Sequence, residues 1–185
     1  MKTTFFIFVL IFCSLSSCVS PQGVIIDNSS QSVGTRSNSV TISNTVALPE
    51  GTYFILNKKN NLALTPTAPS VMQNIFLKNF NKGGLQKWNL IKLQNGNYHI
   101  KLENSDLFFQ PHSMQERTAV VSTLKENASF QITAVNGKLT SWQIKSNYFN
   151  GDAMRSLVLS PEFIEVRFEP ATNTNEFEWE FIRAY

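Results

Sequence analysis

The chain has 185 residues, 42% of them hydrophobic and 16% charged, with a formal net charge of +3. That length permits one ordinary domain with a leader or tail, and the apolar content excludes global disorder. The charge is small and no Lys/Arg cluster is interleaved with aromatics, so a nucleic-acid partner has no support.

The chain opens with MKTTFFIFVLIFCSLSSC, one Lys followed by an apolar run Phe5–Cys13 and then small residues. That run is shorter than the roughly 20 residues a spanning helix needs. It fits an export signal and is excluded from fold reasoning. Leu15-Ser16-Ser17-Cys18 resembles the lipobox of bacterial lipoproteins. The resemblance implies a signal peptide over residues 1–17, a diacylglycerol on the Cys18 thiol, and a lipid-anchored place on the bacterial cell envelope (outer membrane, periplasm or cell surface). Cys18 would then be the one cysteine left, with no disulfide partner, unlike many small secreted domains. A plain secretory signal is the alternative reading. Residues 18–48 are rich in Ser, Asn and Thr and lack aromatics, which predicts a flexible tether.

From residue 49 the pattern is all-β, with apolar–polar alternation and no helical period. GTYFI at 51–55 recurs as GNYHI at 96–100 and LTSWQI at 139–144. This aligns Tyr53, Tyr98 and Trp142 and, two residues on, Ile55, Ile100 and Ile144. LALTP at 62–66 recurs as LFFQP at 107–111 and LVLSP at 157–161. Leu62, Leu107 and Leu157, with Leu64, Phe109 and Leu159, are expected in the core, leaving Phe108 and Val158 facing outward. Pro66, Pro111 and Pro161 are expected to end the strands without offering an N–H. Next come NIFLKNF at 74–80, TAVVSTL at 118–124 and FIEVRFE at 163–169, then QKWNLIKL, SFQITAV and EWEFIRA, which align Trp88, Phe130 and Trp179. The prediction is three four-stranded units over about 49–94, 95–136 and 137–185. One such unit cannot bury its aromatic face, but three packed around an axis can.

Three units of this size resemble a β-trefoil with pseudo-threefold symmetry, and Gln86-Lys87-Trp88 resembles the Q-x-W signature of ricin-type lectin repeats. The resemblance covers 49–185 and implies carbohydrate binding. In that family an Asp follows the C-L pair and an Asn precedes the Q-x-W; a carboxylate takes sugar hydroxyls while a ring stacks on the sugar face. Here the Asp places hold Thr65, Gln110 and Ser160, and the residues before the Q-x-W-like triplets are Leu85, Asn127 and Glu176. Ala128 and Phe177 replace the glutamine in the second and third units. Gln110 and Asn127 either hydrogen-bond a ligand or solvate strand ends.

Ile55 to Leu62 and Ile100 to Leu107 are each seven residues, but Ile144 to Leu157 is thirteen. This predicts an insertion at 146–155 that carries Tyr148, Phe149, Asn150 and Asp152. The loop either presents its rings to a saccharide or protein or folds them back onto the barrel. His99 is expected to face solvent and His112 to lie in a loop, and Glu176, Glu178 and Glu180 to form the solvated face of the last strand. No catalytic motif, metal-ligand spacing or cofactor loop appears. Two readings follow: a lipid-anchored, non-catalytic glycan-binding module, or a protein-interaction or structural lipoprotein that uses the same scaffold without binding sugar.

Overall fold

The computed structural model describes residues 47–185. The signal, Cys18 and most of the expected tether lie outside the described residues. Twelve strands follow one another: β1 (Gly51–Asn57), β2 (Ala63–Pro66), β3 (Ile75–Lys78), β4 (Lys87–Lys92), β5 (Tyr98–Leu102), β6 (Phe108–Pro111), β7 (Ala119–Ser122), β8 (Phe130–Ala134), β9 (Trp142–Ser146), β10 (Ala153–Ser160), β11 (Phe163–Glu169) and β12 (Trp179–Arg183). Each unit contributes four, as the repeat predicts.

Six strands close into a ring. β1 pairs β4, β4 pairs β5, β5 pairs β8, β8 pairs β9, β9 pairs β12 and β12 pairs β1, all antiparallel. Closure leaves the barrel without an exposed edge. The other six strands form three hairpins, β2–β3, β6–β7 and β10–β11. These lean on one another through the bridges Asn74↔Val120 and Thr118↔Arg167 and the pairing Ile164↔Leu77. A closed six-stranded barrel capped by three hairpins in threefold register is a β-trefoil.

Alternation along the barrel strands explains the core. Ile55, Ile100 and Ile144 are fully buried, and Tyr53, Tyr98 and Trp142 lie beside them. The phenols of Tyr53 and Tyr98 donate to the carbonyls of Pro49 (3.0 Å) and Leu48 (2.7 Å). Leu48 is itself buried, so the packed domain takes in the last residue of the expected tether. The indoles of Trp88 and Trp179 lie in the core, where their Nε1 groups donate to Leu64 O (3.0 Å) and Met154 O (2.9 Å). Phe130 fills the corresponding place in the second unit, its ring 5.1 Å from that of Phe109.

The two indole bonds correct the predicted register of the third unit. Met154, not Leu159, corresponds to Leu64 and Phe109; it is fully buried, while Leu159 is 59% exposed. Leu157 is half-buried and Val158 exposed. Cross-strand partners agree: Leu64↔Leu77, Phe109↔Val121 and Met154↔Phe168. Strands β2 and β6 end at Pro66 and Pro111, as expected. Ser156 holds that place in β10, and the Leu-Val-Leu run after it has strong strand preference. The β10–β11 ladder therefore continues to Ser160↔Phe163, with a register shift between Val158 and Ser160. Phe108, expected to face outward, is also buried, under the ammonium groups of Lys101 and Lys125.

Met154→Ala should cost about 2–5 kcal/mol as a buried truncation, whereas Leu159→Ala should stay within about 0.5 kcal/mol; urea unfolding of both variants checks the register. Trp88→Phe keeps one aromatic ring but removes the pyrrole half of the buried indole and leaves the Leu64 carbonyl without its donor, and should cost at least about 1–3 kcal/mol in the same assay.

Candidate ligand-binding site

The corrected register sets equivalent positions side by side. Where the resemblance puts a carboxylate, the units hold Thr65, Gln110 and Arg155. The Q-x-W position holds Gln86, Ala128 and Phe177, all buried. Three different environments result.

In the first unit the position opens into a groove of about 670 Å³. Thr65 and Gln86 are its most buried polar members. Gln86 is the last residue of a short 3₁₀ turn, Gly84–Gln86, and ties the site together. Its Nε2 donates to Thr65 Oγ1 (3.2 Å) and to Asn79 O (2.9 Å), and its Oε1 accepts from Asn81 N (3.0 Å). Thr65 Oγ1 in turn donates to Ala63 O (2.8 Å). Asn81 Oδ1 accepts from Gly83 N at 2.8 Å. A Cβ on Gly83 would stand 2.9 Å from that same Oδ1, so a side chain there would displace the Asn81 amide from the turn. This network holds the 79–86 segment as one wall, with Lys78, Asn79 and Asn81 exposed along it. The apolar lining is aliphatic, including Leu62, Leu77 and Leu85. A second wall comes from the third unit: Pro161, Glu162 and Ile164, at and beside the turn between β10 and β11. Lys78 and Glu162 take part in no ion pair among the described residues.

The third unit fills the equivalent place with charge. Arg155 Nη1 lies 2.7 Å from Glu169 Oε2 and its Nη2 lies 3.5 Å from Glu176 Oε2, with the guanidinium 5.4 Å from the Phe177 ring centre. Lys59 Nζ donates to Glu176 Oε1 at 2.5 Å. That bond, opposed by some desolvation and aided by a hydrogen bond from Thr174 and the charge of Arg155, holds the Glu176 carboxyl below its usual value. Ser160, expected at this place, sits instead at the hairpin turn, where its Oγ accepts from Phe163 N (3.2 Å). In the second unit Gln110 is buried, Asn127 is half-buried, and Ala128 offers no side-chain staple.

The 146–155 segment is not a protruding insertion. Met154 follows Ile144 by ten residues, against nine from Ile55 to Leu64 and from Ile100 to Phe109, so the connection between β9 and β10 is tight. Phe149 is buried, with its ring 5.2 Å from that of Phe168, and the Arg117 guanidinium lies 4.9 Å from its centre. Tyr148 packs against Phe149 at 5.0 Å. Asp152 pairs with Arg117, and Asn150 takes a left-handed turn conformation at φ 53°. The rings fold back onto the barrel and the acid is already paired, so the segment is packing.

His99 is half-buried rather than solvent-facing: its Nδ1 lies 2.8 Å from Ala128 O and its ring packs edge-on to Phe108. His112 contacts Glu116. The expected acidic face is likewise partnered, Glu176 by Lys59, Glu178 by Lys138 and Glu180 by Lys58, and Glu178 is buried. No group of three or more potential metal-binding side chains occurs among the described residues.

Comparison with solved structures relates the chain to other trefoils. A designed threefold-symmetric protein, ThreeFoil, superposes with a TM-score of 0.65 at 14% identity, covering 72% of this chain and 99% of its own. The Rhizoctonia solani agglutinin gives 0.64 at 17% identity, covering 75% of this chain and 99% of its own. The Macrolepiota procera ricin B-like lectin, in complex with lactose, gives 0.62 at 14%, covering 74% and 99%. At these identities the likeness establishes the fold. No protein-family model matches the chain, and no curated protein matches it by sequence.

The depressed Glu176 carboxyl gives the third-unit cluster a signed pH dependence. Its contribution to stability is present above its ordinary value of 4.5 and is lost as pH falls through the lower, folded value. Melting temperature measured from pH 7 to pH 3 should fall less steeply on acidification in Glu176→Gln than in the unaltered chain; parallel curves would contradict the cluster's role.

Proposed function

We propose that the chain is a carbohydrate-binding module that holds a saccharide in the first-unit groove. The observation that carries this reading is the meeting of Thr65 and the Q-x-W glutamine, Gln86, in an open groove of about 670 Å³. The equivalent position in the third unit is occupied by the Arg155 ion-pair cluster. The groove has the parts a sugar needs. Leu62, Leu77 and Leu85 offer apolar surface for C–H faces, and Lys78, Asn79, Asn81 and Glu162 offer hydrogen-bonding groups for hydroxyls. The lining supplies apolar surface and hydrogen-bonding groups, and the reading is therefore a binding module.

We further propose that the module is carried on a bacterial envelope by lipid on Cys18, through the polar segment that follows. Two or more acyl chains give firm anchoring. Millimolar affinity for one sugar corresponds to about 4 kcal/mol, and display of many copies on one membrane adds avidity. A second reading, binding of an envelope or extracellular protein through the third-unit hairpin, is favoured by one observation: Val158, Leu159 and Phe163 are each more than half exposed there.

A glycan array probed with the full chain in mild detergent, beside a Lys78→Ala/Asn79→Ala variant of unchanged melting temperature, tests the first reading. Binding that drops at least tenfold in the variant supports the first-unit groove. An array blank under multivalent display contradicts the glycan reading and leaves the hairpin as the surface to test.

A further inference from the structure

We propose that Glu162, carried by the third unit, is the carboxylate of the first-unit site and accepts hydrogen bonds from two neighbouring hydroxyls of a neutral pyranose. The inference rests on the glycan reading of the groove and adds to it a residue and a ligand class.

The chemistry sets the requirement. A carboxylate accepts from two adjacent hydroxyls at once, and such charge-assisted bonds are about twice as strong as neutral ones. Thr65 cannot do this: its hydroxyl is committed to Ala63 O and to Gln86. Glu162 is the one carboxylate in the groove's lining, and no cation among the described residues neutralises it.

Three features of the third unit bring it there. With Ser156 where the other hairpins have Pro66 and Pro111, the β10–β11 ladder runs on to Ser160↔Phe163 before turning at Pro161 and Glu162. The outgoing strand then pairs with the first unit through Ile164↔Leu77 and Glu165↔Phe76, and Phe163 meets Phe76 edge-on at 6.1 Å. Carried two residues further, that antiparallel register sets Glu162 beside Asn79, whose carbonyl binds the same Gln86 Nε2 that holds Thr65. A carboxylate missing from one unit is thus supplied at the rim of the same groove by its neighbour. The extended hairpin, which the threefold core does not require, gains a role.

The test is an NMR titration of the full chain and of Glu162→Gln with methyl β-galactoside, methyl α-mannoside and methyl β-N-acetylglucosaminide, together with analogues O-methylated at the adjacent hydroxyls. Glu162 is exposed, so the variant keeps its fold, which its melting temperature checks. The expected result is that Glu162→Gln weakens the best glycoside about tenfold to a hundredfold. The O-methylated analogue should bind the unaltered chain as poorly as it binds the variant. If the unaltered chain binds a glycoside and Glu162→Gln binds it equally, the assignment of Glu162 is overturned while the glycan reading stands. If the variant is weaker but O-methylation still lowers its affinity, the carboxylate does not act on those hydroxyls, and the assignment is again overturned. If none of the three glycosides binds the unaltered chain, the glycan reading fails and takes this inference with it.

Discussion

The structure depends on the indole N–H of Trp88 and Trp179 reaching a carbonyl in the hairpin that precedes it, Leu64 in one unit and Met154 in another. A barrel strand and a hairpin strand are thereby fixed to each other deep in the core, where an unpaired carbonyl is costly. The bond does more than stabilise. It sets which hairpin residue faces the axis, and so which residue, one place further on, stands at the outer pocket beside the Q-x-W position. Thr65 and Arg155 are there because Leu64 and Met154 are pinned behind them. Phe130 keeps the packing but has no donor, and in its unit the outer pocket pairs Gln110 with Ala128.

From one repeated scaffold the chain has made three different surfaces. Glutamine at 86 builds a hydrogen-bonded wall and leaves a groove, whereas Phe177 at the same place lies beneath Arg155 in a salt-bridged cluster. Asn57 joins the first and third units beside that cluster, with its Nδ2 donating to Glu176 O (2.8 Å) and its Oδ1 accepting from Ser156 Oγ (3.0 Å). The third-unit position is thus locked by polar contacts, while the first-unit groove stays open. The asymmetry extends to the hairpins, since only the third continues its ladder far enough to lean over the first unit's groove.

Much of the fold was legible in the sequence because aromatic and Ile positions recur at near-constant spacing, and every barrel strand falls where that spacing put it. The third hairpin was misread for a physical reason. The run Leu157–Pro161 repeats the pattern of Leu62–Pro66, Leu-x-Leu, a hydroxyl residue and then Pro, but such a pattern does not say at which layer a strand ends. The spacing from the preceding isoleucine carries that information: nine residues after Ile55 and Ile100, ten after Ile144, a count that selects Met154 over Leu159. The same slip produced the apparent insertion at Tyr148 and Phe149, which are packing residues. Of the expected site residues Thr65 lines the groove, while Ser160 and the 146–155 segment do not. That Glu162 lines the groove was invisible in the sequence, because it comes from another repeat and only the β3–β11 pairing brings it near.

The central claim is that the first unit, and neither of its symmetry mates, is the ligand-binding unit. The most direct measurement is amide chemical-shift mapping of the isotope-labelled chain with the glycan that binds it best. The account predicts perturbations confined to residues 78–86 and 161–164, with the amides around Gln110–Asn127 and Arg155–Glu176 unmoved apart from the shared hairpin turn. Shifts centred on Gln110 and Asn127, or spread equally over all three units, would contradict it.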